Sequence, residues 1–254
     1  MISICNILPN NKIDEQMPRQ RCELYLTHQI LKEPQKFEFL NDGIRVHYKI
    51  LDNSACELGE GLDFGEVLKA ADIIAADEVV LPDIPRSSYS LSKTMEYLKD
   101  VPTSCKYKLA AVVQGDTFEE VMACSEQILF LKRINTIMIP KWYCQMNSTN
   151  GLGRHAITKN LLAMMQQYGI HKEIHWLGMD IGMREIITPL SRIVRSIDTG
   201  YFAALSTPQW KEMQLMSERP RELKINLDIM DVDMDRWMNF IQQQNEALEE
   251  ITNV

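Results

Sequence analysis

No apolar run in the 254 residues reaches the roughly 18 needed to cross a bilayer, so no transmembrane helix is expected. The opening stretch, MISICNILPNNK, lacks a basic segment followed by a long apolar one. That argues against a secretory signal and for a cytoplasmic protein. No Cys-x-x-Cys pair occurs. The six cysteines (Cys5, Cys22, Cys56, Cys105, Cys124, Cys144) are scattered, which reads as reduced thiols rather than a disulfide framework. There is no internal repeat, no low-complexity tract and no linker rich in Pro, Gly or Ser. A single domain over residues 1–254 is therefore expected, with the more polar stretch 218–254 as a helical extension on its outside.

What is present fits a large core. Hydrophobic residues make up 45% of the chain and charged ones 24%, which excludes global disorder. The net charge of -8 argues against a polyanionic partner, but its distribution is uneven. Residues 128–206 carry nine Lys/Arg and four Asp/Glu, a local excess of +5. Screening confines such a face to about a Debye length, ~8–10 Å, so a basic face can bind phosphate on an acidic protein. A solvated mixed surface gives the same count. Within this segment Arg154, Lys159, Arg184 and Arg195 are the candidates for contact with nucleic acid.

Short β-rich runs alternate with helical patterns. The runs are Ile2–Ile7, Ile44–Leu51, Asp72–Ala76, Lys108–Val113, Thr136–Ile139, Ile174–Leu177 and one around Ser196–Ile197. Segments of 3.6-residue period follow at Ser90–Leu98, Thr117–Leu131, Gly153–Tyr168, Glu185–Val194 and Pro208–Met216. A further helix is expected at Asp235–Ile251. Strand, helix, strand, helix marks a parallel sheet with crossover helices. Runs such as KLAAVV are apolar without alternation, as in strands buried on both faces. Length and alternation together predict an α/β fold, a parallel (β/α)8 barrel.

Polar residues follow the runs. Asp52 follows IRVHYKIL, Asp77 and Glu78 follow DIIAA, Gln114 and Gly115 follow KLAAVV, and Asp198 follows the last run. In a parallel barrel the strand C-termini converge on one mouth, so Asp52, Asp77, Gln114 and Asp198 would share a pocket. An acid after a strand is also the common N-cap of the next helix. Carboxylates and an amide in one pocket suit glycosyl transfer: one ionised Asp attacks an anomeric carbon and a second carboxyl handles the proton. A further Asp and a Gln can read the edge of a purine. The same carboxylates suit a nucleoside hydrolase or a sugar-phosphate lyase.

Four segments, taken in order, resemble the tRNA-guanine transglycosylase superfamily, and within it the short phage-type DNA 7-deazaguanine transglycosylases. They are Asp52-Asn53-Ser54-Ala55-Cys56-Glu57, Ala76-Asp77-Glu78, Val113-Gln114-Gly115 and His175-Trp176-Leu177-Gly178, with Asp198 one helix and one strand further on. The resemblance implies that Asp198 is the nucleophile on C1′ and Asp52 the general acid/base. It implies that Asp77 and Gln114 hold the base, that the Gly115 backbone assists, and that Leu177 and Gly178 form the floor. It implies no metal or redox cofactor. The partners would be a nucleic acid and a 7-deazaguanine such as preQ0, and homodimers are common in the family.

Three departures qualify that reading. The family's aromatic position after the first Asp is Cys56, with Trp142 in a nearby loop as the alternative stacking group. Where the family has an L-A-V-G-G-like loop, the Thr136–Ile139 run leads into Ile139-Pro140-Lys141-Trp142. The zinc subdomain of the tRNA enzymes is missing, and Cys144 with His155, His171 and His175 lacks structural-zinc spacing. Its loss favours DNA over tRNA as the polymer. A tRNA substrate, and a non-catalytic subunit that binds nucleic acid or an active paralogue, remain the alternatives.

Overall fold

The computed structural model describes residues 3–7, 13, 21–42, 48–145, 153–178, 190 and 193–199, and isolated positions between 233 and 243. Arg184, the helix expected at Pro208–Met216 and most of that at Glu185–Val194 lie outside them. So does the extension over 218–254, apart from those isolated positions.

Eight parallel strands close into a barrel in chain order. They are β1 (Ser3–Asn6), β2 (Glu23–Leu26), β3 (Lys49–Asp52), β4 (Glu78–Val80), β5 (Lys108–Val112), β6 (Thr136–Pro140), β7 (Glu173–Leu177) and β8 (Ser196–Thr199). Closure is made by β1 and β8, paired from Ser3 with Ser196 to Asn6 with Thr199. The described crossover helices are α1 (Thr27–Lys32), α2 (Ala55–Leu58), α3 (Phe64–Ile74), α4 (Ser90–Asp100), α5 (Phe118–Phe130) and α6 (Gly153–Tyr168). The expected (β/α)8 barrel is present.

The barrel divides the apolar residues by strand parity. Outward ones such as Leu51, Val79, Ala111, Ile137, Trp176 and Ile197 pack against the helices in one large core. Inward ones, Cys5, Leu24, Leu26, Ile50, Val80, Ala110, Val112 and Met138, fill the lumen. Asp52, Gln114, His175 and Asp198 share the inward parity, so the strands aim them into the lumen or its upper rim.

Three helices follow their sequence signals closely. Gly153–Tyr168 is helical over the whole expected range, and α4 begins at Ser90. In α5 the Thr117 hydroxyl accepts from Glu120 N–H while the Glu120 carboxylate accepts from Thr117 N–H.

Two expectations are corrected. Asp72–Ala76 is not a strand: its first three residues end α3. Asp63 caps that helix by accepting from Gly65 N–H, and Val67, Ala70, Ala71 and Ile74 bury one face at helical spacing. The strand is the three-residue Glu78–Val80 that comes after it. The cysteines are not all thiols either. Cys5 and Cys22 are bonded inside the lumen, with Cα atoms 4.6 Å apart, because β1 and the residue before β2 are brought side by side across 17 residues of sequence. Cys56, Cys105 and Cys124 are free.

Candidate active site

Asp52 ends β3. Its Oδ1 accepts from Ser54 N–H at 2.7 Å, and its carbonyl accepts from the Thr27 hydroxyl at 2.6 Å. Ser54 turns the chain with φ +65 before α2 starts. Burial holds the Asp52 carboxyl well above the usual carboxylate range. The charges of Glu57, Asp83 and Asp198 push the same way, and the Ser54 N–H opposes them. Its surroundings therefore favour the protonated carboxyl over the carboxylate.

The acid beyond β4 is Asp83, three residues past the strand and 2% exposed. Asn53, next to Asp52, donates to Asp83 Oδ1 at 2.7 Å and to the Leu81 carbonyl at 2.7 Å. It also accepts from Ala55 N–H, so one side chain ties the end of β3 to the loop after β4. Gln114 Nε2 donates to Asp83 Oδ2 at 2.5 Å. Gln114 Oε1 accepts from Arg86 N–H at 2.9 Å and from the Tyr143 hydroxyl at 3.0 Å. Burial raises Asp83 to about 6 against the pull of Asn53 and Gln114. Each carboxylate oxygen keeps a further lone pair for a ligand donor.

Asp198 lies on β8 and is 4% exposed. Its Oδ1 accepts from Gly178 N–H at 2.9 Å and lies 3.0 Å from His175 Nε2. Gly178 adopts φ +71, and a Cβ there would meet Lys141 Cδ at 2.9 Å, so the lysine stem lies over this turn. Gly115 is equally confined: a Cβ would meet Glu120 Cβ and Val121 N at 2.8 Å. Its N–H donates to the Tyr143 hydroxyl at 3.0 Å. Leu177 stands at the lumen rim, and its carbonyl accepts from Arg154.

Asp52, Gln114, Gly115, Leu177, Gly178 and Asp198 thus come together at the C-terminal mouth. Asp77 does not. It precedes β4 at the opposite end of the barrel, where its carboxylate accepts from Lys49 N–H at 2.8 Å and its carbonyl accepts from Lys108 N–H. The misplaced strand misplaced the acid.

Two expected phosphate ligands are corrected as well. Arg154 is fully buried; it donates to the carbonyls of Ile139, Leu177 and Gly178 and lies over the Trp176 ring. Arg195 precedes β8 and points into the N-terminal end of the lumen. There it donates to Glu78 at 2.5 Å, Glu173 at 2.9 Å, Thr136 at 3.2 Å and Tyr48 at 3.3 Å. Lys159 is exposed on α6. Among the described residues, Lys141, over Gly178, and Arg86, whose guanidinium lies 5.7 Å from the Trp142 ring, are cations beside the mouth.

Asp83 was within reach of the sequence, since E-V-V-L-P-D places an acid just beyond a strand in the way that marked the other residues. His175 was quoted in its segment, but only the parity of β7 shows it facing inward. Among the described residues no three His, Cys, Asp or Glu side chains gather as a metal site, and no helix is long and apolar enough to cross a membrane. No protein-family model and no curated protein matches the chain.

Proposed function

We propose that the protein is a base-exchange glycosyltransferase of the tRNA-guanine transglycosylase type, replacing guanine in nucleic acid by a 7-deazaguanine such as preQ0. DNA is the favoured polymer. The reading is carried by one observation: the β3 and β8 carboxylates share a mouth but not an environment. Burial and neighbouring acids push the Asp52 carboxyl well above the usual carboxylate range, towards its protonated form. Asp198 Oδ1 accepts from Gly178 N–H and lies 3.0 Å from His175 Nε2, and its Oδ2 has no partner among the described residues.

The chemistry then divides between them. A flipped-out guanosine enters the mouth. Asp198 Oδ2 bonds to C1′ as the C1′–N9 bond breaks, and the departing guanine takes up the Asp52 proton. The incoming 7-deazaguanine gives its N9 proton to Asp52. Its N9 then bonds to C1′ as the ester C–O bond breaks and the electron pair returns to Asp198. Asp83 and Gln114, rather than Asp77 and Gln114, read the base edge. Lys141 and Arg86, rather than Arg154 and Arg195, meet the phosphates.

Labelled guanine or preQ0, incubated with the protein and either duplex DNA or bulk tRNA, tests this. Label retained in DNA and lost in Asp198→Ala is expected. Label only in tRNA would move the activity to that polymer. Free base released without incorporation would make the protein a hydrolase. No change in either polymer, from folded protein, would leave a non-catalytic subunit.

A further inference from the structure

The nucleophile assigned above is the upper end of a buried hydrogen-bond relay. His175 Nε2 lies 3.0 Å from Asp198 Oδ1. On the other edge of the ring, Nδ1 lies 2.7 Å from Ser196 Oγ. Ser196 Oγ accepts in turn from Arg195 Nε at 3.1 Å. Ser196 and Asp198 face the lumen from β8, and His175 faces it from β7, where it pairs in register with Ser196. His175 is fully buried and Ser196 is 1% exposed, so each proton needs a partner within the protein.

Donor and acceptor types place those protons. A guanidinium N–H only donates and a carboxylate only accepts. Ser196 Oγ therefore receives a hydrogen from Arg195, and His175 Nε2 supplies one to Asp198. The serine hydrogen then goes to Nδ1, the acceptor left on the ring. With Nδ1 protonated too, the serine hydrogen would have no acceptor among the described residues, an omission that costs about 1–3 kcal/mol in a buried site.

We propose that His175 is a positioning residue for Asp198, held by Arg195 and Ser196 as the neutral Nε2–H tautomer so that it and Gly178 N–H keep two donors on Oδ1 and leave Oδ2 to bond to C1′. The chemical half of this rests on the base-exchange reading. In the covalent ester, Oδ1 is the carbonyl oxygen. When N9 of the incoming base displaces the ester, the C1′–Oδ2 bond breaks and negative charge returns to the carboxylate. Two fixed donors already face the place where that charge develops. The same donors temper attack by Oδ2, so removal of His175 burdens the second half-reaction most. The relay also gives the Arg195 cluster a purpose at the mouth: it orients the serine that orients the histidine.

The test has two readouts, both on the full chain. In the first, long-range 1H–15N correlations of 15N-histidine protein report the ring tautomers of all five histidines; His175→Gln identifies the His175 signal by its loss. The Nε2–H pattern is expected, and Ser196→Ala should lose it. An Nδ1–H ring or an imidazolium in the unsubstituted protein would overturn the proposal. In the second, denaturing gels measure the covalent protein–DNA adduct during exchange. His175→Leu should accumulate adduct at least about tenfold over the unsubstituted chain, a floor beneath the ~10²–10³-fold rate loss seen when one transition-state donor is removed. Its KM for the base should hold, and His175→Gln, whose amide still donates, should restore turnover. Equal adduct in all three would overturn the proposal. If His175→Leu fails to fold, Ser196→Ala carries the adduct measurement in its place. An Nε2–H tautomer in a chain that transfers no label would overturn the chemical role together with base exchange, while the tautomer assignment stands.

Discussion

Gln114 Nε2 donates to Asp83 Oδ2 at 2.5 Å, which locks the polar groups that follow β5 and β4 to each other at the barrel mouth. Asn53 holds the other oxygen, so the carboxylate is fixed from both sides. Burial nevertheless raises Asp83 to about 6. Above that pH its oxygens can accept from the N–H groups of a bound base; below it one oxygen carries a proton and an acceptor is lost. The KM for the incoming base should therefore rise as pH falls through about 6. Asp83→Asn should show a high KM with no such dependence. Base-exchange kinetics across pH 5–8 check both.

Asp77 and Asp83 make a matched pair for mutation, one at each end of the barrel. Asp77→Ala removes the acceptor for Lys49 N–H and should cost about 1–3 kcal/mol in denaturant unfolding. Exchange rates in the folded variant should stay within about threefold of the unsubstituted protein. Asp83→Ala should lose exchange by two orders of magnitude or more, on the scale of removing a substrate-orienting group. The reverse pattern would return the base-holding role to Asp77.

The contrast between these two acids explains how far the sequence could be read. The alternation of strands and helices was legible where a β run is apolar throughout, as in KLAAVV, and where the helices at Thr117 and Gly153 carry a cap or a period; β2, with the sequence ELYL, offers no such run and was not among those read. The ends of elements were less so. In LKAADIIAADEVV the helical and extended readings of IIAA differ by one element end, and only the packing of Val67, Ala71 and Ile74 against the barrel decides between them. Local charge counting failed for a different reason. It sums Arg154, Lys159 and Arg195, yet a barrel sends one into its core, one to solvent and one to the closed end of its lumen. The Cys5–Cys22 pair was hidden likewise, because neighbouring strands bring together residues whose spacing carries no signal.

Arg154 and Lys141 should separate stability from nucleic-acid binding. Arg154→Met leaves the buried Ile139 carbonyl and the half-buried Leu177 and Gly178 carbonyls short of a donor and should cost several kcal/mol, on the order of 2–4. DNA affinity of the folded fraction should be unchanged. Lys141→Ala should leave the unfolding midpoint nearly alone and weaken DNA binding. The slope of log affinity against log salt should shrink by about one. Salt titrations of labelled duplex, beside urea melts, distinguish the two.

Glu23 makes stability itself pH-dependent. It begins β2, accepts from the Tyr25 hydroxyl, and leaves Oε1 buried with no partner among the described residues. Burial raises its carboxyl from 4.5 to about 7, with Tyr25 and Lys49 pulling the other way. The folded state therefore binds this proton more tightly than the unfolded chain. The stabilisation is complete below about 4.5 and is lost as pH rises through about 7. At ~1.4 kcal/mol per pKa unit the swing is on the order of 3 kcal/mol. Glu23→Gln keeps an acceptor for Tyr25 and removes the titration. Its stability should match that of the unsubstituted protein near pH 5 and exceed it near pH 8 by about that swing. Urea unfolding midpoints at the two pH values measure the difference, and parallel curves for both proteins would remove Glu23 as the titrating group.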